Sequence, residues 1–312
     1  MASSNTAAYQ LPSDAVWFIT GCSSGIGRAL AEHISSCGSY RLVATARNIS
    51  SLSYLPDDFP SKILKLALDV SSLPSITSAV QTAAAHFSRL DVVVNNAGYS
   101  LCGDTEAASD SSARQLMDTN FWGVVNLTKL AIGTMRDTNP LSGSIGGIIM
   151  NVTSMGGRVA LASQAFYHAS KFAVEGFTES LANELRPEWG IHFTLIEPGG
   201  VKTSYAGTSL KRIAPPHPAY AKADSPSRVI EGYMLDPAAT KYWAEPEEVA
   251  RAMVNVVSNG QKIPLRVPLG PDAWVFLKGA NEADAKELEK MKEVAFSVGK
   301  KEQVETLGFL AK

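Results

Sequence analysis

The sequence predicts an α/β fold: a single domain built on a doubly wound parallel sheet of about seven strands flanked by helices, with an insertion over one end of the sheet. Three observations lead there. Seven short runs are apolar almost without alternation, the pattern of strands buried on both faces. Helix-length segments separate most of these runs. A glycine-rich turn joins the first run to the first helical pattern, as at the opening of a βαβ unit.

In chain order the strand candidates are 16–20 (VWFIT), 41–46 (RLVATA), 63–68 (ILKLAL), 90–95 (LDVVVN), 147–152 (GIIMNV), 192–196 (HFTLI) and 265–268 (LRVP). A helical pattern over 26–35 follows the first strand. Ser72, Leu73 and Pro74 open another helix, with proline in the first turn where its missing N–H is no loss. Pro246-Glu247-Glu248 opens a later one, its acids facing the positive end of the helix dipole. Helices are also expected over 109–137 and 167–186. Residues 204–245 differ: five prolines (Pro215, Pro216, Pro218, Pro226, Pro237) alternate with Tyr205, Tyr220, Tyr233, Tyr242 and Trp243. This insertion is expected to lie over the carboxyl ends of the strands, where open sheets bind ligands. The charged segment 281–292 reads as an amphipathic surface helix. The organisation is thus an N-terminal extension (1–13), a main domain (14–270) and a helical tail (271–312).

Composition narrows the function classes. The 312 residues carry 28 basic against 30 acidic side chains, a formal net charge of −2. That leaves no large field to attract nucleic acid or an anionic membrane. Cys22, Cys37 and Cys102 form no CxxC pair, and the five histidines (33, 86, 168, 192, 217) form no ligand-spaced pair, so neither a disulfide framework nor a metal site is suggested. The first residues lack a basic and apolar leader, and no apolar run has the length of a membrane span. The reading is a cytoplasmic chain with a small-molecule partner.

Thr20 to Gly27 (TGCSSGIG) lies between the first strand and the first helix. Gly21, Gly25 and Gly27 permit a tight turn and close backbone approach, and with Ser23, Ser24 and Ile26 they place a helix N-terminus against an anion. A dinucleotide pyrophosphate suits that position; an ordinary glycine turn is the plainer alternative. Twenty residues after Gly27 stands Arg47, with no acid at the end of the second strand. An acid there would hold the ribose hydroxyl of NAD, whereas arginine suits the 2′-phosphate of NADP(H). A solvated surface arginine is the competing reading.

Tyr167 and Lys171, four apart on a helical pattern, share one face. A phenol needs a nearby cation to work as acid or base near neutrality, and Lys171 can supply it. Tyr–Lys pairs at this spacing also arise by chance, so the neighbours matter. Ser154, at the end of the 147–152 strand, can hydrogen-bond a substrate oxygen as charge develops on it; it can also be a plain turn residue.

Taken together these segments resemble the short-chain dehydrogenase/reductases, in their shorter single-domain branch, whose fold is the Rossmann fold. The resemblance spans roughly 14–270. It implies a catalytic tetrad of Asn120, Ser154, Tyr167 and Lys171. On the cofactor side it adds to the glycine motif and Arg47 the pair Asp69 and Val70 at the adenine, the segment Asn95-Asn96-Ala97-Gly98, Tyr167 and Lys171 at the nicotinamide end, and the loop holding Pro198, Gly199, Val201 and Thr203. VATAR, NNAGY and RVPLGPDA are similar to the hydroxysteroid and retinol dehydrogenase group, which implies a lipophilic substrate. Family members commonly form homodimers or homotetramers. Tyr99, Met155, Val159, Tyr205 and Trp243 are pocket candidates, or ordinary core.

The expected function is NADPH-dependent reduction of a lipophilic ketone or aldehyde. Three rivals remain: a serine hydrolase, since Gly21–Gly25 also spells the GxSxG elbow around Ser23; a non-catalytic dinucleotide-binding module; and an epimerase or dehydratase using the same Tyr and Lys.

Overall fold

The computed structural model describes residues 5, 8–57, 59–203, 209–300 and 302–308. Its nine described strands are β1 (Val16–Ile19), β2 (Arg41–Ala46), β3 (Ile63–Ala67), β4 (Val92–Asn95), β5 (Ser100–Cys102), β6 (Gly147–Val152), β7 (Ile191–Pro198), β8 (Leu210–Arg212) and β9 (Arg266–Leu269). The described helices are α1 (Gly25–Ser36), α2 (Leu73–Phe87), α3 (Asp110–Met117), α4 (Gly123–Gly133), α5 (Ala165–Glu184), α6 (Pro226–Leu235), α7 (Pro237–Thr240), α8 (Pro246–Ser258), α9 (Pro271–Lys290), α10 (Lys292–Phe296) and α11 (Glu302–Glu305).

Seven strands form one parallel sheet in the order β3-β2-β1-β4-β6-β7-β9. Their continuous apolarity has the expected cause. Along β1, Trp17 and Ile19 enter a core shared with α1 and α8, while Val16 and Phe18 enter one shared with α2, α4 and α5. Successive side chains point to opposite faces, and helices cover both. The strand order reverses between β1 and β4, so the loops leaving them part and open a crevice at the carboxyl edge.

β4 starts at Val92, two residues later than expected. The preceding residues are held by side chains: the Asp91 carboxylate accepts from Val16 N (2.7 Å), and Asn139 accepts from Leu90 N (3.0 Å). β7 runs on to Pro198, so the sheet itself delivers the loop that follows.

One segment differs from expectation, and two others gain detail. The terminal helix begins at Pro271 rather than near 281, because Gly270 takes a φ of +113° and Pro271 opens the helix directly after β9. Within the N-terminal extension, Asn5 donates to Phe193 O and Ile263 O and accepts from Phe193 N, and Ala8 bridges Lys262. The insertion is partly regular, β8 pairing in parallel with β5 as a second small sheet and α6 and α7 following.

His192 lies in β7 at 4% exposure, its ring 5.0 Å from that of Tyr9, with no hydrogen bond to Nδ1 among the described residues. Burial disfavours the imidazolium and lowers its pKa from 6.5 to about 4. Between those values the unfolded chain binds the extra proton, so stability falls as pH drops through this window. Urea unfolding is expected to show about 2 kcal/mol lost by about pH 5 from this group, and His192→Phe to remove that part of the loss.

Candidate active site

A cavity of about 1050 Å³ opens at the carboxyl edge of the sheet, where the loops after β1 and β4 part. Its walls contain Gly21, Ser23, Ser24, Gly25, Ile26, Arg47, Asp69, Val70, Asn96, Ala97, Gly98, Ser154, Tyr167, Lys171, Pro198, Gly199, Val201 and Thr203. The structure therefore gathers around one space residues spread over most of the chain. Two expected site residues, Gly27 and Asn120, stand behind the wall.

At one end the glycine turn interlocks with the loop after β4. The Thr20 hydroxyl accepts from Asn96 N (2.9 Å) and Ala97 N (3.0 Å), and Asn96 Nδ2 donates to Thr20 O (2.8 Å). Gly21 (φ +71°) and Gly25 (φ +56°) adopt left-handed conformations that favour glycine. Gly27 is needed for space: a Cβ there would stand 2.3 Å from Asn96 Nδ2 and 2.4 Å from Gly21 O. It packs α1 on its own turn. Among the described residues α1 has no side-chain cap and no acid in its first turn, so its leading N–H groups are available to an anion. Arg47, exposed at the end of β2, lies on the same wall.

At the other end, α5 grips the segment leaving β6. Lys171 Nζ donates to Val152 O (2.9 Å), and Thr153 Oγ1 donates to Glu175 Oε1 (2.7 Å). His168 Nδ1 bonds Gly156 O (2.8 Å) while Nε2 accepts from Leu161 N (3.0 Å). The carbonyl requires Nδ1 to donate, so His168 is a neutral imidazole used as a brace; burial lowers its pKa. Sequence reasoning gave His168 no role. Ser154 Oγ accepts from Gly156 N (3.0 Å), which makes it a turn residue whose hydroxyl also reaches the cavity.

Burial raises the Tyr167 phenol above its usual value, with the Ser154 hydroxyl pulling it back. Lys171 Nζ stands 5.8 Å from the Tyr167 ring centre. Burial lowers Lys171 to about 8, against the opposing pull of Glu175. Asn120, in a π-helical turn before α4, spends its amide on Tyr99 N, Tyr99 O and Ser170 Oγ (3.0, 2.8 and 3.2 Å). It meets Lys171 only beside Gly98, where a Cβ would lie 3.1 Å from Asn120 Oδ1 and 3.7 Å from Lys171 Nζ.

Beyond Ser154 and Tyr167 the wall turns apolar. Tyr99, Met155, Val159 and Trp243 line it as expected, whereas Tyr205 lies outside the described residues. Leu161, Ile230, Tyr233, Met234 and Phe276 join them without having been foreseen. Phe276 and Asp272 come from the first turns of α9, so the tail helps build the site. Asp272 accepts from Gly200 N (2.7 Å), and Trp243 packs so closely that a Cβ on Gly200 would lie 2.5 Å from its indole.

Ser23 has no histidine partner among the described residues, and glycines rather than Ser23 take the left-handed positions of its turn, so the hydrolase reading lacks its base and its strained nucleophile. Among the described residues no three His, Cys, Asp or Glu stand together as metal ligands, and no helix is long and apolar enough to cross a membrane.

The family described as short chain dehydrogenase matches residues 15–213. An oxidoreductase, calM, of Penicillium decumbens is 46% identical over 294 residues, covering 93% of this chain and 95% of that one. Retinol dehydrogenase 8 of Homo sapiens is 34% identical over 261 residues, covering 80% of this chain and 79% of that one. The crystal structure of a short-chain dehydrogenase from Streptomyces avermitilis superposes with a TM-score of 0.80 at 30% identity, covering 92% of this chain and 99% of that one.

The contact behind the glycine turn is open to a direct test. Gly27→Ala is expected to cost about 1–3 kcal/mol, as overpacking does, and equilibrium unfolding measures it; an unchanged midpoint contradicts the packing described.

Proposed function

The chain belongs to the short-chain dehydrogenase family of oxidoreductases acting on CH–OH groups, and from that premise we propose that it reduces the carbonyl of a lipophilic ketone or aldehyde with NADPH. The observation that carries the reading is the continuity of one cavity: an uncapped helix N-terminus and Arg47 at one end, Ser154, Tyr167 and Lys171 in the middle, an apolar wall beyond.

The residues fit a dinucleotide. The glycine turn and α1 suit a pyrophosphate, Asp69 and Val70 an adenosine, Arg47 a 2′-phosphate, and Pro198 to Thr203 the nicotinamide end. When bound, NADPH supplies the hydride. Ser154 donates to the carbonyl oxygen and orients it. Tyr167 gives that oxygen its proton, and burial favours the protonated phenol that reduction requires. Lys171, while charged, stabilises the phenolate left behind. Asn120 braces Tyr99 and Ser170 beside Lys171.

The wall of Met155, Leu161, Met234, Trp243 and Phe276 suits an apolar substrate. The relative named retinol dehydrogenase agrees, retinol being an apolar alcohol. Trp122 and Phe172, exposed beside α4 and on α5, support association of two or more copies. The described cysteines are free, which suits a reducing compartment such as the cytoplasm.

Steady-state kinetics with apolar ketones and aldehydes test the reading. Tyr167→Phe is expected to lower kcat by about 10²–10⁴, the usual value of a positioned proton donor, with NADPH affinity retained. Arg47→Ala is expected to weaken NADPH binding about tenfold or more, the loss of a charged hydrogen bond, and to leave NADH unaffected. A fully active Tyr167→Phe removes the mechanism, and equal use of both cofactors by the unmodified protein removes the role of Arg47.

A further inference from the structure

We propose that Glu175, a carboxylate buried behind the cavity, is the positioning residue that couples the Ser154 turn to Lys171; the inference rests on the reductase reading above. Glu175 is 4% exposed and does not itself line the cavity, but it holds Thr153, which does. It lies one helical turn beyond Lys171 on α5, so both side chains share a face.

Two contacts fasten it to the Ser154 turn from both sides. Before Ser154, the Thr153 hydroxyl donates to Glu175 Oε1 at 2.7 Å. After it, a Cβ on Gly157 would stand 3.1 Å from Glu175 Cγ and 3.3 Å from Oε1, so the turn is seated on the carboxylate and glycine permits the approach. Lys171 Nζ is tied to Val152 O, directly before Thr153. One acid thus fixes the two groups that meet the substrate and its proton donor.

The same carboxylate raises the affinity of Lys171 for its proton against the effect of burial. The charged groups around Glu175 are Lys171 and Glu179 on α5, Arg266 on β9, Glu197 on β7 and Arg158 after β6. Arg266 Nε donates to Glu175 Oε2 (3.1 Å). Glu197 has no hydrogen bond to either oxygen among the described residues, and Arg158 and Arg266 approach it only to 3.7 and 3.9 Å. Burial and the neighbouring Glu175 push Glu197 up to about 7. Burial also raises Glu175, but its hydrogen bonds from Thr153 and Arg266 favour its ionised form. Of the two, Glu175 holds the hydrogen bonds that favour a carboxylate charge, and Glu197 holds none among the described residues.

Glu175→Gln keeps the side-chain volume and an acceptor for Thr153 while deleting the charge. The first readout needs no substrate: competitive acetylation of Lys171 by acetic anhydride, followed by peptide mass spectrometry across neutral and alkaline pH. The midpoint of about 8 is expected to fall by about one unit in Glu175→Gln, because the ammonium loses its counter-charge. The alkaline limb of kcat/KM for carbonyl reduction should move the same way and kcat fall about tenfold, with KM for NADPH unchanged. Thr153→Val removes the hydroxyl that bonds Glu175 Oε1 and, more distantly, Ile196 O, and leaves the charge, so kcat is expected to fall about fivefold, roughly the worth of one hydrogen bond, with the limb in place.

Unshifted Lys171 reactivity in a folded Glu175→Gln overturns the proposal, as does a loss confined to NADPH affinity. Should Glu175→Gln fail to fold, wild-type kinetics in Thr153→Val overturn it. Tyr167→Phe separates the two readings: if that variant is inactive while Glu175→Gln behaves as wild type, only the role of Glu175 fails, whereas a fully active Tyr167→Phe removes the reductase reading and this inference with it.

Discussion

The site depends on one close approach of two backbones, where the turn after β1 meets the loop after β4. Thr20, Gly21, Asn96 and Ala97 stitch the two together by four hydrogen bonds, and the absence of a side chain at Gly21 and Gly27 lets them touch. Without that contact α1 could not start directly at the end of β1, and its N-terminus would point elsewhere. The reversal of strand order makes the crevice; the glycines decide how narrow it is and which backbone groups face it.

A second constraint acts across the crevice. α5 holds the segment after β6 through Lys171, Glu175 and His168, polar groups whose burial is tolerable because each has a partner. Such a brace is worth more to geometry than to stability, since a buried hydrogen bond contributes only about 1 kcal/mol net. What it delivers is a serine hydroxyl, a phenol and an ammonium at fixed separations. Preorganisation of this kind is what a developing oxyanion needs.

Much of this was legible in the sequence because it is local. Unalternating runs such as VWFIT and LDVVVN report burial on both faces, and the sheet places them in its interior. The spacing of Tyr167 and Lys171 reports one helix face, and the glycine motif reports a turn. What was not legible is non-local. Phe276 and Asp272 reach the cavity only because Gly270 turns the chain back after β9, and no periodicity announces that. Burial, which sequence does not show, raises the Tyr167 phenol and lowers the Lys171 ammonium. Asn5 holds β7 from the far end of the chain through backbone contacts that carry no pattern. What a side chain at Gly27 would meet first, Asn96 Nδ2, comes from the loop after β4, which the glycine motif itself does not show.

The central claim is that one cavity brings a nicotinamide hydride to a carbonyl carbon. Incubating the protein with an apolar ketone and NADPH deuterated at both positions of nicotinamide C4, then weighing the alcohol, tests it directly. The account predicts a single deuterium on the carbinol carbon. Alcohol formed without deuterium would place the hydride source elsewhere and contradict the account at its root.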